Sequence, residues 1–221
     1  MKVGFIGVGV MGSAMLLNLK KKGFEVSYYA RNYEKTKEKL QGVKYYPSIK
    51  DLTLANDVII TIVGYPSDVE EVYYKKGNII DNLGKGKIVI DMTTSSPKLA
   101  KRIYQDVKKK GGFPLDAPVT GGDKGAIEGT LVIFVGGDKK TYEKCLPVFK
   151  GMGTTILYTG EAGSGQHSKL ANQISIAGAI SGMAETISYA KKAGLDVAPL
   201  IEVWSKEIGR ASCRERVYHP V

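Results

Sequence analysis

Three glycines in the run Gly7-Val8-Gly9-Val10-Met11-Gly12 stand between a short apolar segment, residues 3–6, and an amphipathic one, residues 11–21. No other feature of the chain constrains its fold so tightly. Gly7 permits a tight turn, Gly9 removes the side chain that would block a pyrophosphate, and Gly12 lets the helix close on the strand, leaving phosphates at the positive end of the helix. In this strand-to-helix context the run specifies a dinucleotide-binding βαβ unit; out of context it would be a glycine-rich turn and no more. Composition agrees, since 27 of 221 residues are glycine, nearly twice the usual share of roughly 7%. Such usage marks backbone brought close to a ligand.

Downstream, short apolar runs alternate with helical spacing. Strands are expected near residues 3–6, 26–30, 57–63, 88–91, 113–118, 131–135 and 155–158, several of them unbroken Val/Ile runs suited to a sheet buried on both faces. Helical spacing covers 11–21, 67–74, 96–109 and 139–150, with Ser96-Pro97 reading as an N-cap followed by a first-turn proline. Repeated units of this kind imply an α/β fold, a doubly wound, Rossmann-like, mostly parallel sheet with right-handed crossovers over residues 1–160. From 165 to 193 the pattern becomes one long helical run, roughly 43 Å. It is rich in Ala, Gly and Ser, and Leu170, Ile174, Ile180, Met183 and Ile187 give it a broad apolar surface. Such a helix needs partner helices, so residues 161–206 are expected to form an interdomain helix and the start of an all-α C-terminal domain, with a second helix at 198–206. Residues 207–217, EIGRASCRERV, have no apolar period and resemble a translated library adaptor. The stretch 207–221 is therefore expected to be a non-native tail, a genuine basic tail being the alternative.

Lys and Arg number 32 against 22 Asp and Glu, a formal charge of +10, which raises the question of an anionic macromolecular partner. The lysines fall in ones to threes at expected helix ends, where they complement the helix dipole, so the charge reads as solvated surface and not as a nucleic-acid site. No run reaches the roughly 18 apolar residues of a membrane span, and the first residues enter a strand without signal-peptide character. The expectation is a cytoplasmic protein with neither membrane nor nucleic-acid partner. Cys145 and Cys213 fit no disulfide framework or zinc spacing, Cys145 reads as a packing residue, and no metal is implied.

Where an NAD-specific site would offer Asp or Glu to the ribose 2′-hydroxyl, the second strand ends Ala30-Arg31-Asn32. Arg31 instead offers a guanidinium fork to a 2′-phosphate, with Asn32 as a second donor, so NADP(H) is favoured over NAD(H). A solvated strand-end arginine is the alternative. Farther along, Pro118-Val119-Thr120-Gly121-Gly122 ends a strand at the carboxyl edge of the sheet, where doubly wound folds bind ligands. Its two glycines leave backbone N–H groups open to an anion such as a carboxylate. Asp91 and Asp116 read as strand-end hydrogen-bonding groups, not catalytic acids.

Four separated motifs carry a family resemblance: FIGVGVMGSAM at Phe5 to Met15, DMTTSSP at Asp91 to Pro97, DAPVTGGDKGAIEGTL at Asp116 to Leu131, and GEAGSGQHSKLANQ at Gly160 to Gln173. Through them residues 1–206 resemble the β-hydroxyacid dehydrogenase family, the group of 3-hydroxyisobutyrate dehydrogenase and tartronate semialdehyde reductase. The phrase GYPSDVEEVY, Gly64 to Tyr73, is similar to one bacterial subgroup. The resemblance implies an oxidoreductase moving hydride between NADP(H) and a small β-hydroxy acid or its semialdehyde. It implies that Lys169 is the general acid/base, that Thr120, Gly121 and Gly122 bind the substrate's acid group, and that Thr94 and Val63 join the cofactor-binding set of Gly7 to Gly12, Arg31 and Asn32. Read without the family, residues 93–96 are equally a helix cap. Four residues past the lysine the family usually has asparagine; this chain has Gln173, with Asn172 one place earlier, and both are placed on the substrate side. His167 reads as helix surface.

Two other readings stay open, a dinucleotide-binding module without turnover and a tartronate semialdehyde or glyoxylate-type reductase. The 6-phosphogluconate dehydrogenases would place a histidine just before the amide of the lysine motif, and imine reductases typically lack the lysine. The resemblance further implies a homo-oligomer for a full-length form. The chain as written is expected to bind cofactor but to turn over little.

Overall fold

A computed structural model describes residues 1–211 of the chain, which divides into two units, Met1–Lys169 and a second beginning at Leu170. In the first, strand β1 (Lys2–Ile6) leads into helix α1 (Val10–Lys21), then β2 (Glu25–Tyr29), β3 (Lys44–Tyr45), α2 (Ile49–Ala55) and β4 (Val58–Thr61). Helices α3 (Pro66–Tyr74) and α4 (Ile79–Asn82) precede β5 (Ile88–Asp91), α5 (Pro97–Lys109) and β6 (Phe113–Asp116). Strand β7 (Val119–Thr120), helix α6 (Gly122–Glu128), β8 (Leu131–Gly137), α7 (Lys139–Lys150) and β9 (Gly153–Gly160) complete the sheet, and α8 (Ser164–Lys192) follows.

Among the described residues the sheet has nine strands, ordered β3-β2-β1-β4-β5-β6-β8-β7 with β9 against β8. The pairs from β3 to β6 are parallel, as is β8 with β9, whereas β8 runs antiparallel to β6 and β7. The expected mostly parallel, doubly wound sheet is therefore present, with an antiparallel step near one end. Only Gly121 to Thr130 separate β7 from β8, fewer than the dozen or more residues a parallel crossover needs, so β8 returns antiparallel.

Period-two alternation divides each central strand between two cores. Val3, Phe5, Val58, Ile60, Ile88 and Ile90 join α1 through Met15, Leu16 and Leu19. Ile6, Ile59 and Val89 face the other way, onto Leu52 of α2, Val69 of α3 and Ile103 and Val107 of α5. That double burial is why these strands read as unbroken apolar runs instead of alternating ones. Helix α5 starts as its sequence predicts, with Pro97 in the first turn and Ser96 as N-cap. Helix α2 is not among the expected helices, although its signal is legible: Ser48 Oγ accepts the Asp51 N–H at 3.0 Å, and the pair reads as Ser-x-x-Asp before an apolar run. Basic residues close α1 (Lys20, Lys21), α5 (Lys108, Lys109) and α7 (Lys150), in keeping with solvated helix ends. Burial pushes the Cys145 thiol up to about 12, so it packs and stays protonated.

The first unit extends past the expected boundary at 160, to Lys169, because the start of α8 is bonded to β6. In the second unit, α8 carries exposed Leu170, Ile174, Ile176 and Ile180, and α9 (Val197–Ala211) follows. Helix α9 thus runs into the stretch set apart at 207–221, whose residues 212–221 lie outside the described residues. No helix among those described is long and apolar enough to cross a membrane.

Candidate active site

A cleft of about 530 Å³ opens beyond the carboxyl ends of β1, β2 and β4. This is where the chain leaves β1 in one direction and β4 in the other, the switch point at which doubly wound sheets take ligands. Gly7, Val8, Gly9, Arg31, Asn32 and Val63 line it together. The glycines differ in what forces them. Gly7 sits at φ +96°, and a Cβ there would lie 2.0 Å from the Ile62 carbonyl oxygen; a Cβ on Gly12 would lie 2.0 Å from the Gly7 carbonyl oxygen. Both are demanded by the fold. A Cβ on Gly9 would meet nothing within 4 Å, so the fold does not require glycine there and the open space is available to a ligand. Val10 is exposed, Met11 half-buried and Gly12 buried, and none of the three lines the cleft.

Arg31 reaches from the end of β2 toward α3, its Nη2 3.5 Å from Asp68 Oδ1, with 74% of its side chain exposed. Asp68 Oδ2 accepts the Tyr65 N–H at 3.0 Å, which fixes the carboxylate at the first turn of α3. Lys35 and Lys39 also line the cleft, and Asn32 Oδ1 accepts the Lys35 N–H at 3.3 Å, which shapes the turn that presents them. The wall is basic and solvated, suited to an anionic group that keeps part of its water.

A second, closed arrangement occupies the carboxyl ends of β5 and β6. Asp91 Oδ1 accepts from Thr61 Oγ1 at 2.9 Å and from the Thr93 N–H at 3.1 Å, and Thr93 Oγ1 accepts the Val63 N–H at 3.0 Å. Burial raises the Asp91 carboxyl to about 6 against the pull of these hydrogen bonds, and the charge of Asp116 adds to the rise. Asp116 Oδ1 accepts the Gly163 N–H at 2.8 Å, and its Oδ2 accepts the Gln166 N–H at 2.9 Å. Burial raises this carboxyl too, opposed by those N–H groups. Both aspartates are thus hydrogen-bonding strand ends, as their sequence positions predict. The approach is close: a Cβ on Gly165 would lie 2.5 Å from the Asp116 carbonyl oxygen and 2.7 Å from that of Phe134.

Lys169 is 6% exposed, and burial alone lowers its pKa from the ordinary lysine value. Among the described residues its Nζ makes no hydrogen bond or ion pair. An amine in that state can gain and lose a proton nearer neutrality than a surface lysine can. His167 is exposed, as expected of helix surface. Thr94 is exposed between buried Thr93 and Ser95. Thr120 is half-buried at the end of β7, and Gly121 (φ +127°) and Gly122 (φ +61°) turn the exposed backbone into α6. Asn172 and Gln173 belong to the second unit, where Asn172 Nδ2 donates to Gln173 Oε1 at 3.4 Å.

Three features escape a reading of the sequence. Gln166, fully buried, has only its position three residues before Lys169 to mark it. Asp68 shows as a helix-start acid, but nothing local points it at Arg31. Lys35 and Lys39 are indistinguishable in sequence from other surface lysines.

Two family models match the chain and meet between residues 160 and 163, ahead of the structural division at Lys169. Residues 2–160 match the model of the NAD binding domain of 6-phosphogluconate dehydrogenase. Residues 163–220, including the stretch from 207, match that of the NAD-binding region of NADP-dependent 3-hydroxyisobutyrate dehydrogenase. An uncharacterized oxidoreductase of Bacillus subtilis is 52% identical, over 88% of this chain and 68% of its own length. The 2-hydroxy-3-oxopropionate reductase of Escherichia coli is 38% identical, over 89% of this chain and 67% of its own. Among solved structures, Mycobacterium tuberculosis 3-hydroxyisobutyrate dehydrogenase with L-serine has a TM-score of 0.85 at 30% identity, covering 91% of this chain and 69% of that one. The chain thus spans about two thirds of the length of the relatives it matches.

Proposed function

The chain belongs to the β-hydroxyacid dehydrogenase family, and from that premise we propose that it interconverts a small β-hydroxy acid and its semialdehyde with NADP(H). The observation that carries the reading is Lys169, a buried lysine whose pKa burial lowers, in the motif where the family keeps its acid/base. The nicotinamide, when bound, supplies or accepts hydride at the substrate's carbonyl carbon. Lys169 Nζ gives its proton to the carbonyl oxygen in reduction and takes the hydroxyl proton in oxidation, a contribution of about 10² to 10⁴ in rate. Backbone N–H groups of Thr120, Gly121 and Gly122 hold the substrate carboxylate, and Asn172 and Gln173 orient the substrate.

The cleft supports the cofactor half of the reading. Gly7, Val8 and Gly9 leave room for the pyrophosphate at the start of α1, where Val10, Met11 and Gly12 form the first turn. Val63 and Thr94 lie on the loops that follow β4 and β5, toward the nicotinamide. Arg31 and Asn32 take the 2′-phosphate, with Lys35 and Lys39 on the same wall; one charge-assisted contact of this kind contributes about 1.5–3 kcal/mol. A homo-oligomer for a longer form goes with the same reading.

The test is loss of reduced-nicotinamide absorbance with NADPH and a panel of short semialdehydes, 2-hydroxy-3-oxopropionate among them, for a form extended by the C-terminal helices of a relative and for its Lys169→Met variant. Turnover that disappears in the variant is the expected result. Flat traces for the extended form with tight cofactor binding would instead favour a dinucleotide-binding module without turnover.

A further inference from the structure

The side-chain amide of Gln166 is satisfied at both ends inside the protein. Its Nε2 donates to the Thr93 carbonyl oxygen at 2.7 Å, its Oε1 accepts the Ser95 N–H at 2.8 Å, and the residue has no exposed surface. The two partners flank Thr94, so the amide grips that residue from behind as a neighbouring strand would, leaving its side chain on the exposed side. Lys169 lies three residues farther along α8, about one helical turn. Asp116 already docks the backbone at the start of the helix through Gly163 and Gln166 N–H groups. The amide is therefore not needed to hold α8 on the sheet; what it adds is a bond to the 93–96 loop.

We propose that Gln166 is a positioning residue that couples the loop bearing Thr94 to the turn of α8 bearing Lys169, and so sets the acid/base where the cofactor's reactive end arrives. The coupling rests on the acid/base reading of Lys169 for its catalytic consequence. Its structural part stands apart from that reading. Replacing the amide by an apolar chain strands a buried N–H and a buried C=O, and the least costly relief is to admit water between α8 and the loop. Water there rehydrates Lys169. Since burial alone lowers the lysine's pKa and no charged group contributes, rehydration moves it back toward 10.5.

The test compares the 221-residue chain with Gln166→Met, Gln166→Asn and a control, Asn56→Ala, each saturated with NADPH. Asn56 is also buried and doubly hydrogen-bonded, to Ser27 and Leu52, at the opposite edge of the sheet. The readouts are thermal stability, NADPH affinity and the pH midpoint for acylation of Lys169, followed by peptide mass spectrometry, with kcat and KM measured on the same variants of a form extended by the C-terminal helices of a relative. In Gln166→Met the midpoint should rise toward 10.5 and kcat should fall roughly tenfold to a hundredfold, with KM and NADPH affinity within about twofold. Gln166→Asn keeps the amide but is one methylene too short to bridge both partners and should fall between; it adds no charge near Lys169 and carries the same test should the methionine variant not fold. A midpoint equal to that of the native chain in both variants, with stability lowered as in Asn56→Ala, would overturn the proposal. A raised midpoint together with full turnover by Lys169→Met would leave the coupling standing and remove the acid/base reading.

Discussion

The cleft at the ends of β1, β2 and β4 and the junction at the ends of β5, β6 and α8 are built on opposite principles. The cleft is open and its polar groups are solvated: Arg31 is mostly exposed, and its partner Asp68 is held at 3.5 Å. The junction is closed, with Asp91, Thr93, Asp116, Gln166 and Lys169 all buried. Exposed ion pairs contribute about 0–1 kcal/mol, so the cleft's charges can be redirected by a ligand at little cost to the fold. A buried polar group left without a partner costs about 1–3 kcal/mol, so the junction holds one arrangement. On the proposed function, the region that accepts the cofactor would be soft and the region that places the proton-transfer group rigid.

Four measurements would break or sharpen that contrast. The largest effect is expected at the junction's buried lysine: Lys169→Met should lower kcat by about 10² to 10⁴ and leave NADPH affinity within about twofold. Retention of more than about a tenth of the activity would take Lys169 out of the chemistry.

Next comes the pH dependence of stability. Burial raises the folded-state pKa of Asp91 to about 6 from 3.8, so the folded protein holds this proton more tightly than the unfolded chain does. The contribution of the group is fully present below about 3.8 and is lost as pH rises through about 6. An asparagine amide in its place would keep the oxygen that accepts from Thr61 and Thr93. Across about pH 4 to 7, Asp91→Asn should therefore abolish a slope amounting to at most about 3 kcal/mol. Parallel denaturation curves for the two proteins over that range would show that the junction does not hold an isolated buried acid.

In the cleft, Arg31→Asp should reverse cofactor preference from NADP to NAD, by roughly tenfold to a hundredfold in Kd. Equal affinity of the native protein for the two dinucleotides would assign Arg31 to solvent. The smallest effect belongs to Asp68→Asn, which keeps the oxygen that caps α3 and removes the charge facing Arg31. NADP should bind about twofold to fivefold more tightly while stability changes by under about 1 kcal/mol. A fall of several kcal/mol would mean that the cleft is as rigid as the junction.

The sequence by itself determined the βαβ start and the two-faced strands, because each depends on neighbours within a few residues, whereas Lys169 stood out from the other lysines only through the family resemblance. Gly7 and Gly12 serve a local turn and a local helix-strand contact, and Val58 to Ile60 need only alternate to fill two cores. The direction of β8 was less legible because it depends on the length of the connection from β7, and the short helices α4 and α6 are too short to show a period. Only the tertiary structure decided that Lys169 is buried, that Arg31 meets Asp68 and that Gln166 grips the loop around Thr94. The bonds responsible join residues 37 to 73 positions apart. Over such separations no side-chain period carries information, and a buried amide is distinguished from a surface one only by what the folded chain brings against it.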